Sequence, residues 1–138
     1  MAAATENRQG LVDGVHGTVI NQKDFPVAAT TQIFSFTLVS FDANGFAVPA
    51  ADVAAQNGKK VYYALQEADN STGADGDIQC RCMIRGTARL ERGAIVQADS
   101  GKLAHVLDDQ TVALSSTNDR PIGTLVEIDT QRVGVQIG

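Results

Sequence analysis

Apolar and polar residues alternate in short runs along most of this chain, and clusters of glycine, proline, asparagine and aspartate separate the runs about every eight to twelve residues. Because successive side chains of a β-strand point to opposite faces of a sheet, this alternation predicts strands with one buried face. The clearest run is 32–39, where Phe34, Phe36 and Leu38 fall on one face. A turn is predicted at 42–45, and Pro49 is expected to end the next strand or to mark a sheet edge.

The remaining pattern predicts a protein made almost entirely of strands. The segment 50–57 has the composition of about two helical turns, which Gly58 would end, and 67–77 is rich in turn-forming residues and is expected to be a loop. The fold class predicted is all-β, an antiparallel β-sandwich or jelly-roll-like barrel with at most one short helix. The further predicted strands are 61–65, 78–90, 94–98, 103–107, 111–114, 122–128 and 132–137.

The segment 78–90 is predicted to be the longest strand, with a bend or bulge at Gly86. Its apolar residues occupy mostly even positions and its arginines odd ones, so the arginines and one methionine are expected on the solvent-facing side. Arginine is enriched at protein interfaces and pairs well with carboxylates, so this side is interpreted as a partner surface, with an ordinary solvated face as the alternative. The residues predicted to contact a partner, here and in the N-terminal arm, are Arg8, Arg81, Met83, Arg85 and Arg89.

The composition is that of one globular domain. The chain has 138 residues, 43% of them hydrophobic, and this length suffices to bury a core without disulfides or metals. We expect a flexible N-terminal arm at 1–10 and a single β-sandwich domain at 11–138. The N-terminus lacks the basic start and apolar stretch of a secretion signal, and no apolar run could cross a bilayer, so synthesis in a cytoplasm without membrane contact is predicted.

The charge balance bears on the partner. Eleven Lys and Arg face 16 Asp and Glu, which gives a formal net charge of −5 without a basic half. Proteins that bind duplexes concentrate positive charge on one surface, and proteins that bind single strands stack bases on aromatic side chains. The chain has no Trp and only 5% aromatic residues. No direct nucleic-acid partner is therefore predicted.

Candidate chemical sites are few. Cys80 and Cys82 lack the spacing of a zinc motif, and their side chains would lie parallel on a strand, so buried free thiols are predicted, with a metal or redox pair as the alternative. His16 and His105 belong to no catalytic motif, and His105 is expected to be structural. No catalytic residue, metal site or cofactor is predicted. The alternative to this prediction is a calcium site in the loop, which would use Asp69, Asn70, Asp75 and Asp77. The spacing of these residues is not that of an EF-hand loop.

The order of turns and strands over about 78–138 resembles the small decoration, or cement, proteins of tailed-bacteriophage heads. In those proteins a strand leads to a Gly-Ala-type turn, a second strand, an Asp-x-Gly-Lys hairpin, an Ile-Gly strand and a final Val-x-Val strand. These motifs are turn chemistry rather than catalytic residues. They fall here at Gly93-Ala94, Asp99-Ser100-Gly101-Lys102, Ile122-Gly123 and Val133-Gly134-Val135.

The resemblance implies a β-sandwich or barrel without enzymatic activity that binds the outer surface of the capsid in the virion. Its partners would be the major capsid protein and further copies of itself, as a homodimer or homotrimer, and it would bridge capsid subunits. Residues 1–77 form a longer leading segment than in short members of that family.

Two other functional classes are left open by the sequence. One is a non-catalytic ligand-binding or carbohydrate-binding β-sandwich module, which the lack of Trp disfavours because sugars usually stack on aromatic side chains. The other is a small β-sandwich enzyme that would use His105 or the pair Asp75 and Asp77 for acid–base chemistry.

Overall fold

The regular secondary structure of the chain is almost all β-strand, which confirms the predicted all-β fold class. The structure, a computed structural model, describes residues 3–5, 7 and 18–138, and only the backbone of 18–20. Within these residues the helical segments are single 3-10 turns at Ala54–Gln56 and Gln97–Asp99. The strands are β1 (Thr18–Pro26), β2 (Thr31–Ile33), β3 (Leu38–Phe41), β4 (Ala47–Pro49), β5 (Tyr62–Ala64), β6 (Ala68–Asn70), β7 (Gln79–Glu91), β8 (Leu103–Val106), β9 (Val112–Ala113), β10 (Pro121–Ile128) and β11 (Arg132–Ile137).

Two groups of strands extend from the long strand β7. β1 pairs with 79–87 of β7 along one edge. On the other edge β5 pairs with Cys82 and Met83, and β11 pairs with 86–91. We call β5-β3-β4, with the segments that connect these strands, wing A, and β11-β10-β8-β9, with their connecting segments, wing B. The sheet is antiparallel and curls into a half-barrel, and β2 and β6 form a separate two-stranded sheet.

Alternate residues of β3, β5 and β7 enter two different hydrophobic cores. Tyr63 and its ladder neighbours Leu38 and Met83 belong to a large core built from side chains of both wings. Ala64 and its ladder neighbour Cys82 belong to a smaller core that includes residues of β2 and β6. The middle of β7 is therefore covered on both faces, unlike a strand with one solvated face.

The prediction of a single strand over 32–39 is wrong. β2 ends at Ile33 and β3 begins at Leu38, because the chain leaves the small sheet and enters wing A between them. Phe36 lies in this turn with a φ of 61°, and its N–H donates to the carbonyl of Ala64 at 2.8 Å. The alternation of Phe34, Phe36 and Leu38 therefore spans residues of two different sheets and the turn between them, and it does not mark one strand.

Three further predictions need correction. The segment 50–57 holds the single turn Ala54–Gln56 rather than a two-turn helix. The segment 94–98 is not a strand but leads into the turn Gln97–Asp99, and the predicted loop 67–77 contains β6. The strand β1 (Thr18–Pro26) was not among the predicted strands.

Other predicted elements are confirmed. The turn at 42–45 forms, with the Asp42 carboxylate accepting the N–H groups of Asn44 and Phe46. Pro49 ends β4, which lies at the edge of the sheet, where a missing N–H costs no ladder bond. β10 and β11 pair as the expected C-terminal hairpin.

Part of the predicted N-terminal arm contacts the domain. The Ala4 N–H donates to a carboxylate oxygen of Asp109 at 2.8 Å. The side-chain oxygen of Asn7 accepts the Ser35 N–H at 2.8 Å. These contacts place residue 4 beside the segment before β9, and residue 7 beside the turn that joins β2 to β3.

Candidate functional site

The expected continuous face of arginines and methionine does not form. Arg81 and Arg85 are exposed, and Arg81 pairs with Asp24 of β1 at 3.0 Å. Met83 is fully buried and Arg89 is only 6% exposed, so the expectation that both are solvent-facing is wrong. The reason is that β7 carries a core on both faces near its middle. Contact of Arg81 and Arg85 with a partner stays a prediction, and Arg8 lies outside the described residues.

Arg89 is held by an ion-pair network within wing B. Its guanidinium contacts the carboxylates of Glu127 at 3.4 Å and Asp129 at 3.1 Å. Gly134 lies between Arg89 and Glu127 in the ladders, and a Cβ on it would come 3.3 Å from the Glu127 side chain. The Thr130 N–H and the Arg89 guanidinium lower the pKa of Asp129. This network joins β7 to β10 and to the turn that follows it, across β11.

The two cysteines are packed in the smaller core. Cys80 and Cys82 have free thiols with no exposed surface, and their Sγ atoms are 3.9 Å apart. Hydrogen bonding to Cys80, together with burial, raises the pKa of Cys82 far above its ordinary range, so this thiol stays protonated. The prediction of buried free thiols is confirmed.

The histidines and the acidic loop show structural contacts. His105 is half-buried, and its Nδ1 lies 3.1 Å from the Ser116 hydroxyl; His16 falls outside the described residues. In the loop after β6, Asp75 accepts the Ala29 N–H. Nearby, Asp69 accepts the Ser71 N–H and Asp77 accepts the Ala74 N–H. The Asn70 amide donates to the carbonyls of Val27, Ala28 and Ala74.

These loop contacts bear on the calcium hypothesis. Each acidic side chain accepts a backbone N–H, and such bonds stabilise turns. Within the described ranges, no three His, Cys, Asp or Glu side chains converge in a way that could hold a metal ion. The three aspartates of the calcium hypothesis therefore do not converge, whereas Asn70 Oδ1 and Asp77 Oδ2 both lie beside Gly73, 2.0 and 3.2 Å from where a Cβ on that residue would be.

A buried guanidinium connects the two wings. Arg120, at the start of β10, is 1% exposed and donates to the Ser40 hydroxyl of wing A at 2.6 Å. It also donates to the carbonyls of Gln56, Lys59 and, at 3.4 Å, Ala51. Sequence reasoning missed this residue, because an Arg-Pro pair after a polar loop resembles an exposed turn.

The loop before Arg120 is fixed by one carboxylate of the other wing. Asp52 accepts the N–H groups of Thr117 and Asn118, both at 2.8 Å. Partial burial alone would raise the pKa of Asp52, but these hydrogen bonds and the nearby Arg120 charge outweigh it and lower that pKa. Asp52 and Arg120 together hold wing A against wing B.

A cleft of about 770 Å³ opens where the wings part. The ladder of β5 stops at Met83 and that of β11 starts at Gly86, so the wings diverge beside Ile84. The cleft lies next to the Arg120 network and combines cationic with apolar groups. Side chains that line it include those of Lys59, Lys60, Tyr62, Ile84, Leu103, Asp119 and Ile122.

Wing B also exposes several large apolar side chains. Four of the exposed large hydrophobic residues lie on or directly after its strands, and Leu103 among them also lines the cleft. Single exposed apolar residues are common, and contact regions form where such residues are contiguous. They are Leu103 (50% exposed), Leu107 (43%), Leu114 (41%) and Val126 (41%).

No family model, curated protein or solved structure matches the chain. Among the described residues, no helix is long and apolar enough to cross a membrane.

Proposed function

We propose that this chain is a capsid decoration protein that binds the outer surface of a phage head and stabilises contacts between major capsid subunits. It acts by adhesion, without a cofactor and without catalysis. Its partners are the major capsid protein and further copies of itself.

The observation that carries the proposal is the turn-and-strand order of residues 78–138. Gly93 and Gly101, which belong to the Gly-Ala and Asp-x-Gly-Lys motifs, adopt positive φ values of 57° and 89° that favour glycine. Gly123 lies in β10, where a Cβ would come 1.8 Å from the Gln136 carbonyl oxygen, so a residue without a side chain is needed. The segment 133–135 lies in β11. The structure departs from the resemblance before β8, where 94–98 is not a strand and Asp99-Ser100-Gly101-Lys102 continues from a 3-10 turn instead of closing a hairpin.

The surface of wing B supports an adhesive role. Protein interfaces combine an apolar centre with a polar rim, and the exposed Leu103 and Leu107 on and after β8 provide apolar contact area. The chain is acidic overall, which suits a position outside a DNA-filled shell better than contact with the DNA.

Mixing purified protein with undecorated heads tests the proposal. We expect co-sedimentation with the heads and regular density on the outer surface in electron micrographs. Replacing Leu103 and Leu107 by Ser should weaken binding, whereas the matched change Val53→Ser, at a 42% exposed valine in wing A, should not. Absence of binding by the wild-type protein would refute the proposal.

A second candidate is a non-catalytic ligand-binding module, and the cleft is the observation that favours it. Its volume of about 770 Å³ falls in the range of small-molecule sites, roughly 300–1,000 Å³. The Tyr62 ring at its edge is however stacked on Phe25, with centroids 5.4 Å apart, so one of its faces is covered. Binding in a glycan array, together with failure to bind heads, would favour this candidate.

A further inference from the structure

Some Lys and Arg side chains of this acidic chain form ion pairs with carboxylates, and others do not. Four of the described Lys and Arg side chains form ion pairs with carboxylates, namely Arg81, Arg89, Lys102 and Arg132. Arg92 and Arg120 donate to backbone carbonyls. Within the described part of the chain, the cations that have neither a carboxylate in ion-pair contact nor a hydrogen-bonded carbonyl are Lys23, Lys59, Lys60 and Arg85.

Two of these four cations line the cleft between the wings, and a third lies beside it. Lys59 and Lys60 line it. Arg85 follows the lining residue Ile84, and its side chain packs against Gly138, where an added Cβ would be 2.9 Å from the Arg85 Cγ. Lys23 lies elsewhere, 5.8 Å above the ring of Phe25. Asp119 is the acidic side chain of the lining, and the buried Arg120 lies beside it. The cleft is thus a positive site on a protein of net charge −5.

We propose that this cleft binds an extended acidic segment of the major capsid protein. The inference rests on the proposed function, because that function names the major capsid protein as the partner. Unpaired cations attract carboxylates and gain more from them than cations already in ion pairs. The apolar lining from Tyr62, Ile84, Leu103 and Ile122 provides surface for the other side chains of the segment.

The mixed lining favours a peptide segment over a free inorganic anion. A small anion would contact the cations alone and leave the apolar side chains in water. An acidic segment contacts both, and Leu103 connects the cleft to the exposed apolar surface of wing B. One partner could therefore cover the cleft and the wing together.

Charge reversal at the cleft tests the inference. The variant combines Lys59→Glu and Lys60→Glu, and the matched control is Lys23→Glu, which reverses an unpaired cation outside the cleft. Because the variant exchanges attraction for repulsion at two positions, we expect its affinity for undecorated heads to fall on the order of tenfold. The control and the variant that combines Lys59→Arg with Lys60→Arg should bind like the wild type.

Salt and phosphate provide the second measurement. Binding by the wild type should weaken as ionic strength rises, and the charge-reversed variant should lose most of this salt dependence. Millimolar phosphate at constant ionic strength should not displace the protein; specific displacement would point to a small-anion site and overturn the inference.

The outcomes separate the two proposals. If the wild type does not bind heads, the proposed function fails, and the inference fails with it. If the wild type binds and the charge-reversed variant binds equally well, the cleft inference alone is overturned. Thermal melting of each variant establishes that a loss of binding does not reflect unfolding.

Discussion

Replacing Arg120 by Met should strongly destabilise this protein. The guanidinium lies fully buried between the wings and donates to the Ser40 hydroxyl and to the carbonyls of Gln56 and Lys59. Methionine is unbranched and flexible, so it fills part of the same space without donating any of these bonds. The change thus removes the polar connection while limiting the cavity.

The expected magnitude follows from the acceptors left behind. Each buried polar group without a partner costs about 1–3 kcal/mol, and the sum is smaller than three such costs because burying the charge is itself unfavourable. We expect a loss of about 3–5 kcal/mol in the free energy of unfolding. For a domain of this length, this corresponds to a fall in Tm of roughly 10–15 °C.

Urea unfolding and thermal melting measure this effect. Arg85→Met is the matched control, because Arg85 is exposed and has no carboxylate partner among the described residues, and such surface changes stay within about 0.5 kcal/mol. Arg120→Lys should be intermediate, since an ammonium group cannot reach all the acceptors of the planar guanidinium. If Arg120→Met melts within about 3 °C of the control, the argument that this network joins the wings is refuted.

Three further predictions test other parts of the structure. Gly123→Ala should destabilise by more than about 2 kcal/mol or prevent folding, because its Cβ would collide with the Gln136 carbonyl; a melting curve like that of the wild type would contradict the close strand approach. The folded state lowers the pKa of Asp52 from 3.8, so its stabilisation is present above about pH 4 and is lost as the pH falls through the lower folded-state pKa. The stability difference between wild type and Asp52→Asn should thus shrink in acid, and a difference that grew there would reverse the sign argued here. Cys80 and Cys82 should react with a thiol reagent only at the rate of unfolding, because neither has exposed surface; fast native-state reaction would disprove their burial.

Several elements could be predicted because local chemistry decides them. The Asp42 turn needs only a carboxylate that accepts nearby N–H groups and a glycine at positive φ. The hairpin of β10 and β11 follows from two alternating runs around a short polar turn. Each of these signals lies within a few residues of the structure that it specifies.

The candidate site was less predictable because it depends on distant segments. Lys59 and Lys60 lie in wing A next to a polar loop, and nothing local indicates that β8 and β10 form the opposite side of their cleft. The same holds for Arg120, whose acceptors lie 61 to 80 residues earlier in the chain. A composition argument treats such cations as solvated.

The sequence by itself determined that this chain is an all-β protein, where many of its turns lie and that its cysteines are core residues. Only the tertiary structure decided which residues are available at the surface. Alternation along β7 assigns side chains to two faces but does not state what covers each face. Because a hydrophobic core lies on each face near its middle, Met83 is buried in the large core. Because Gly134 leaves room between Arg89 and Glu127, Arg89 lies within an ion-pair network. Burial is a property of neighbours that are distant in sequence, and a local pattern cannot specify them.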